Sequence, residues 1–360
     1  MMACNTTSES SDLYLIIGSY SSADDEGVRV YSFDEASGEA AYVSGLKGID
    51  NPSFVYPSAD GTRVYAVGEN DAPAVATAHA LAFDAEKGTL ALLNTQLTHG
   101  DAPCNIIVSP DGKYVYTSNY NGGSITEFPL DAEGKLGDGR LIAFSGSSID
   151  STRQTQPHLH AVNFTPDGRF LLANDLGTDK VHAFPAAAPL DTTLMHDIAI
   201  APGVGPRHLC FAPDGKRAYL LGEISGDVIT VAYNAQSTSA DSAFAVGQTL
   251  RADSLGAEGS ADIHISADGR YLYTSHRLKG DGISIMRINP DGTIEKTGYQ
   301  PTGIHPRNFT ISPDGKWLLV ACRDDNVAQI FARDAETGLL TDTGKKIEMP
   351  KPVCLQWIGR

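Results

Sequence analysis

Counted from an Asp-Gly pair that recurs along the chain, charged and titratable residues collect at two fixed distances. Seven residues before the Asp stand Ser53, Cys104, His160, Arg207, Ala261 and Arg307; nine after it stand Glu69, Tyr120, Leu176, Glu223, Arg277 and Arg323. Close to these two columns lie His158, Asp175, His208, Asp262, His264, His276 and His305. Six of the ten histidines fall inside this frame. A solvated rim that carries charge for solubility would explain any one of them. It does not explain why the polar residues keep to one level of several repeats. Arg presents a planar fork of donors suited to carboxylate or phosphate. His158, His160 and Glu223 are types that can take and return a proton near neutral pH. The pattern points to an anion pocket with proton-transfer groups. Arg207 faces Glu223, which a plain salt bridge would also explain. Arg307 and Arg323 fall at facing positions of one repeat, where two cations repel unless an acid or a bound anion lies between them. We take His158, Asp175, His208, His264, His276, Arg307 and Arg323 as candidate substrate-binding residues. Glu69, Asp175, Glu223 and Asp262 share the level, but they are spread over separate repeats and mixed with Arg, so no metal site is expected.

The elements that must position these residues are β-strands. The Asp-Gly pairs are Asp60-Gly61, Asp111-Gly112, Asp167-Gly168, Asp214-Gly215, Asp268-Gly269 and Asp314-Gly315, at intervals of 51, 56, 47, 54 and 46 residues. That period suits a four-stranded propeller blade. Each pair separates apolar β-rich runs, such as Asn105 to Val108 and Tyr114 to Thr117. A Pro-Asp-Gly turn between such runs marks a hairpin, because Pro presets φ and Gly accepts a positive one. Two outer strands follow in each unit, and helical periodicity is almost absent. The ends supply a seventh unit: Leu13 to Ile17, Val28 to Phe33 and Ala40 to Gly45 read as three strands, and Pro352 to Ile358 as the innermost fourth. Joining the two ends removes edge strands prone to aggregation. The expectation is an all-β, seven-bladed propeller with four antiparallel strands per blade. It forms a single domain over residues 1–360, with a polar tail at 1–11. Both columns then ring one mouth of the central channel.

Composition narrows the function. Of 360 residues, 27 are Lys or Arg and 44 are Asp or Glu, a net charge of −17. Such a chain repels a nucleic-acid backbone and gains nothing from an anionic membrane surface. A small anionic substrate must be held by locally clustered cations against the overall field. No apolar run approaches the length of a spanning helix, so no membrane-spanning segment is expected. A cytoplasmic protein is the first reading; the alternative is a periplasmic or lipoprotein-anchored one, because Met1-Met2-Ala3-Cys4 with a polar stretch behind it resembles the end of a lipoprotein signal. The five cysteines include no C-x-x-C pair and read as reduced thiols. The sequence holds no phosphate-binding glycine loop and no Ser nucleophile elbow, and no cofactor is called for. It does not reveal an oligomeric state.

The ordered motifs resemble a known family. They are Gln156-Pro157-His158-Leu159-His160, Asp175-Leu176-Gly177, Gly205-Pro206-Arg207-His208-Leu209, Gly222-Glu223-Ile224, Ser260-Ala261-Asp262-Ile263-His264, Ser275-His276-Arg277 and Pro306-Arg307-Asn308-Phe309. Over nearly the whole chain this series is similar to the seven-bladed propeller lactonases, which include propeller-type 6-phosphogluconolactonases and fungal carboxy-muconate cyclases. The resemblance implies a catalytic set of His160, Arg207, Glu223 and Arg277, with His158 as a rival for the first role. Gly222 and His276 stand where the family often has Asn, which bears on substrate identity. The implied activity is hydrolysis of a sugar lactone, 6-phosphogluconolactone first. Ring closure of a muconate to a lactone is the second reading, and a propeller acting as a binding scaffold is the third. No Trp-Asp repeat supports the scaffold, since neither Trp317 nor Trp357 precedes an Asp.

Overall fold

A computed structural model describes residues 13–256 and 258–359. Cys4 and the polar tail at 1–11 lie outside the described residues. The strands form seven four-stranded antiparallel sheets. In chain order, blade 1 combines residues 13–46 with 352–359; blades 2 to 7 span 55–97, 103–143, 159–199, 206–251, 260–301 and 306–348. Among the described residues, helix is limited to one four-residue turn at Ala240–Ala243 and two short 3-10 turns. The sequence expectation of a seven-bladed, four-stranded, end-joined propeller holds. No helix of the described residues is long and apolar enough to cross a membrane.

The innermost strands are Pro352–Gly359, Val55–Pro57, Pro103–Val108, Leu159–Phe164, Pro206–Phe211, Ser260–Ile265 and Pro306–Ile311. Each packs against the next, and the C-terminal strand fills the gap between blades 7 and 2. That strand pairs antiparallel with Leu13–Ser19, from Leu13 opposite Gly359 to Ile17 opposite Leu355. The apolar side chains sort into seven clusters, one between each pair of neighbouring blades. Between blades 7 and 1, for example, Leu319 and Ile330 meet Leu15, Phe33 and Leu355, with Trp357 against them. The core is therefore a ring of interfaces, and every blade depends on both neighbours.

The Asp-Gly turns explain themselves. Each Asp carboxylate accepts the backbone N–H two residues on, at Thr62, Lys113, Arg169, Lys216, Arg270 and Lys316. Each Gly has φ between 66° and 75°, where a Cβ is disfavoured. At the other end of these hairpins one hydrogen bond recurs: the residue at +9 donates its N–H to the carbonyl at −9, as in Glu69 to Asn51, Glu223 to Gly205 and Arg323 to His305. Between that bond and the ladder the register slips by one residue, leaving Cys104, His160, Arg207 and Arg307 bulged out. A bulge re-aims its side chain. Here the repeated bulge turns the −7 column into the channel.

Candidate active site

The two columns meet at one mouth of the channel, and Glu223 is their centre. Its Oε2 receives Arg207 Nε at 2.7 Å and lies 3.2 Å from an Arg277 Nη. Its Oε1 receives Arg153 Nη2 at 2.5 Å. His160 Nε2 stands 3.9 Å from Oε2. Burial pushes the Glu223 carboxyl up, but Arg277, Arg207 and Arg153 outweigh it and hold the acid well below the usual carboxylate range. His160 moves the other way from a free imidazole: burial, then Arg207, lower it well below its ordinary value, so the ring is neutral at neutral pH. Burial and Arg207 also push Arg277 down, yet a guanidinium starts so high that it stays charged through neutral pH.

Supporting contacts fix the orientation of each guanidinium. Arg207 Nη1 donates to the Ala261 carbonyl and lies 3.3 Å from His208 Nε2. His208 Nδ1 in turn is 2.7 Å from Asp262 Oδ1. Burial and Arg207 lower His208 to about 4, which leaves its Nε2 free to accept. Arg277 Nε donates to the Gly259 carbonyl at 2.9 Å. Arg307 differs from the others. Its guanidinium lies over the Tyr20 ring at 5.3 Å and 3.8 Å from Glu69, and among the described residues it makes no hydrogen bond. Glu69 is held by Tyr20 Oη at 2.9 Å and by Ser53 Oγ.

These side chains surround a cavity of about 10 Å³ lined by Ser53, Cys104, His160, Arg207, His208 and Arg307 among others. That is room for a single oxygen atom or water. A sugar-sized molecule must sit outside it, at the level of Arg153, Tyr120 and His158. His158 stacks on Tyr120 at 4.4 Å, and its Nδ1 donates to the Tyr120 carbonyl at 2.9 Å. A far larger cavity, about 600 Å³, lies at the turn end of blades 2 and 3 and is lined by none of the candidate site residues. Its walls include the turn residues Asp60 and Asp111, whose carboxylates are taken up by their own turns, and the strand residue Phe164. Size alone therefore does not choose the site.

Not every expected residue reaches the mouth. Asp175 is buried in blade 4, where it accepts the N–H groups of His158 and Gly177 and the Thr178 hydroxyl and faces His182. Its place is to hold the segment that carries His158. His276 is buried in blade 6 with its two ring nitrogens on Ser260 and Thr274. His264 points toward Asp262 at 2.9 Å, further along its strand toward the turn end. Arg323 forms a two-pronged pair with Asp324, at 2.7 and 3.0 Å. Arg307 and Arg323 thus do not confront each other, because the bulge turns Arg307 toward Glu69 and the 3-10 turn at Arg323–Asp325 supplies Arg323 with its own acid. Among the described residues no group of three or more His, Cys, Asp or Glu side chains is gathered as a metal site.

A family model described as a seven-bladed β-propeller lactonase matches residues 14–357. The chain belongs to the seven-bladed β-propeller lactonases. A 6-phosphogluconolactonase of Formosa agariphila is 36% identical over 333 residues, covering 87% of this chain and 90% of that one. A 6-phosphogluconolactonase of Bacillus subtilis is 29% identical over 346 residues, with 95% and 97% covered. Among solved structures, a Bacteroides fragilis protein provisionally named 6-phosphogluconolactonase is 48% identical, with a TM-score of 0.90 over 99% of this chain and 100% of that one. A periplasmic gluconolactonase of Pseudomonas aeruginosa is 30% identical, with a TM-score of 0.87 over 96% and 99%.

Two mouth residues of this propeller lactonase escape the repeat frame of the sequence. Tyr20 is the +9 residue of blade 1, since its N–H donates to the carbonyl of Lys351. It is hidden because that blade is assembled from both chain ends. Arg153 lies in the connection between blades 3 and 4. The signal for it is the longest of the repeat intervals, 56 residues, in which residues 141–157 carry Arg153 as their one cation.

Proposed function

We propose that this propeller lactonase hydrolyses a phosphorylated sugar lactone, 6-phosphogluconolactone, to the open acid. The observation that carries the reading is a buried carboxylate, Glu223, clasped by guanidiniums beside a neutral imidazole, His160. Arg153, Arg207, Arg277 and Arg307 have Glu223 and Glu69 as their ion-pair partners, four guanidiniums to two carboxylates in a −17 chain. A phosphate monoester carries roughly −1.5 to −2 at neutral pH. The relatives named 6-phosphogluconolactonase support the same substrate.

In this mechanism the lactone carbonyl oxygen enters the small cavity, where Arg307 and Arg207 offer donors to the oxyanion that develops. Water attacks the carbonyl carbon as His160 Nε2 takes its proton, and Glu223 Oε2 at 3.9 Å stabilises the imidazolium. The tetrahedral intermediate collapses, the ring C–O bond breaks, and the imidazolium returns the proton to the ring oxygen. Held ionised by three guanidiniums, Glu223 serves as the counter-charge. Arg277 holds Glu223 in place.

Acid release from 6-phosphogluconolactone, gluconolactone and a muconate panel tests the reading. Arg207→Ala and Glu223→Gln are each expected to lower kcat/KM at least about a hundredfold. Thermal unfolding measured in parallel separates lost chemistry from lost folding. Wild-type rates in two folded variants would remove this site from the reaction.

A further inference from the structure

We propose that Arg153 reads the anionic tail of the substrate and uncovers Glu223 in doing so. The inference rests on the lactonase reading above and assigns a residue to the phosphate. Of the mouth guanidiniums, Arg153 alone comes from a connection between blades. Its side chain is 38% exposed, against 1% for Arg207, 6% for Arg277 and 16% for Arg307. Arg323, another cation at this rim, is already engaged by Asp324 in a two-pronged pair, and Lys279 is paired with Glu258.

The backbone under Arg153 is fixed. Its N–H donates to Asp150 Oδ1 at 3.0 Å, and the neighbouring Gln154 side chain donates to the Leu176 carbonyl and to Asp179. The side chain is not fixed to the same degree. Only Nη2 is engaged, with Glu223 Oε1 and with Tyr120 Oη at 3.1 Å; among the described residues Nε and Nη1 have no hydrogen-bond partner. A substrate too large for the inner cavity lies at this level, so a phosphate arriving there competes with one carboxylate oxygen for Arg153. A change of rotamer suffices to hand the guanidinium over, and a phosphate takes it in a bidentate grip.

Glu223 then keeps Arg207 and Arg277 on Oε2, with His160 beside them and Tyr120, Arg307 and Cys104 further around the mouth. With one cation fewer, its carboxylate supports the His160 imidazolium more strongly. Occupation of the tail subsite thereby raises turnover and not affinity alone.

The test is steady-state hydrolysis of 6-phosphogluconolactone and gluconolactone by wild-type enzyme and by Arg153→Gln and Arg153→Lys, across pH and with unfolding midpoints recorded. Wild type is expected to favour the phosphorylated lactone in kcat as well as in KM. Arg153→Gln should shrink that preference by roughly tenfold to a hundredfold, the range of one charge-assisted hydrogen bond. Its acid limb should move to higher pH, because Glu223 is less strongly held, and Arg153→Lys should recover part of the preference. Equal losses on both lactones, or an unchanged preference, would overturn the assignment while leaving the lactonase reading in place. A wild-type enzyme that opens neither lactone would overturn both.

Discussion

Glu223 and His160 owe their protonation states to the same guanidiniums. Burial disfavours both charged forms, but the cations restore charge to the acid and deny it to the base. The sign for activity follows. The reactive form needs His160 neutral and Glu223 ionised, and both groups bind their proton less readily than in free solution. That form therefore persists as pH falls past 6.5, the ordinary imidazole value. For the uncharged gluconolactone, whose own ionisation does not intrude, we predict a kcat/KM that stays level from about pH 8 down through that value and declines only in more acidic solution. A bend centred on the ordinary imidazole value would contradict this and move the proton transfer to an unperturbed group. At this scale the sequence was legible where a residue sat in a repeat column, as His160, Arg207, Glu223 and Arg277 do. For Arg153, whose connection belongs to no repeat, the one signal was the length of its interval. Asp175 and His276 show the reverse difficulty. Residue type suggested chemistry, but position +8 ends an inner strand, and the side chains there bond within their own blade.

Hairpins place the columns, and their two ends obey different rules. At the turn end, Asp and Gly types are dictated by the turn itself, which made the repeat readable. At the mouth end, a bulge that no residue type announces decides which side chain enters the channel. An unbroken register would set Arg307 opposite Cys322; the slip between Pro306 and Asn308 leaves Arg307 without a strand partner, and Arg323 lies beyond the ladder. Two glycines separate fold from site. A Cβ on Gly177 would meet the Gln156 carbonyl oxygen at 1.8 Å and push on the segment that carries His158 and His160. A Cβ on Gly112, at the turn end, would meet nothing within 4 Å, although its φ of 69° disfavours a side chain. Gly177→Ala should therefore lose activity along with about 1–3 kcal/mol of stability. Gly112→Ala should lose about 1–2 kcal/mol and keep its kcat/KM. Kinetics and denaturant unfolding on the pair check this; equal activity in both variants would detach the mouth from the strand geometry beneath it.

At the scale of the molecule, the ring makes the site a shared property. His160, Arg207, Arg277 and Arg307 arrive from blades 4, 5, 6 and 7, and Asp262 ties neighbours together through His208 and Asn308. Blade number and end-joining were legible because each depends on turn spacing and on one C-terminal strand. The shape of the mouth was not, because it arises where seven blades converge. Removing residues 352–360 should strip blade 1 of its inner strand, exposing Leu15 and Ile17 at an open edge. Loss of the single cooperative transition, with aggregation seen by size-exclusion chromatography, is the expected result; an unchanged transition would mean that the ring does not need its closing strand. The most direct measurement is a crystal structure with the reaction product, 6-phosphogluconate, bound. The account predicts its carboxylate against Arg207, Arg307 and His160, with an oxygen in the small inner cavity. Product found instead in the large cleft at the turn end of blades 2 and 3, with the mouth empty, would contradict it.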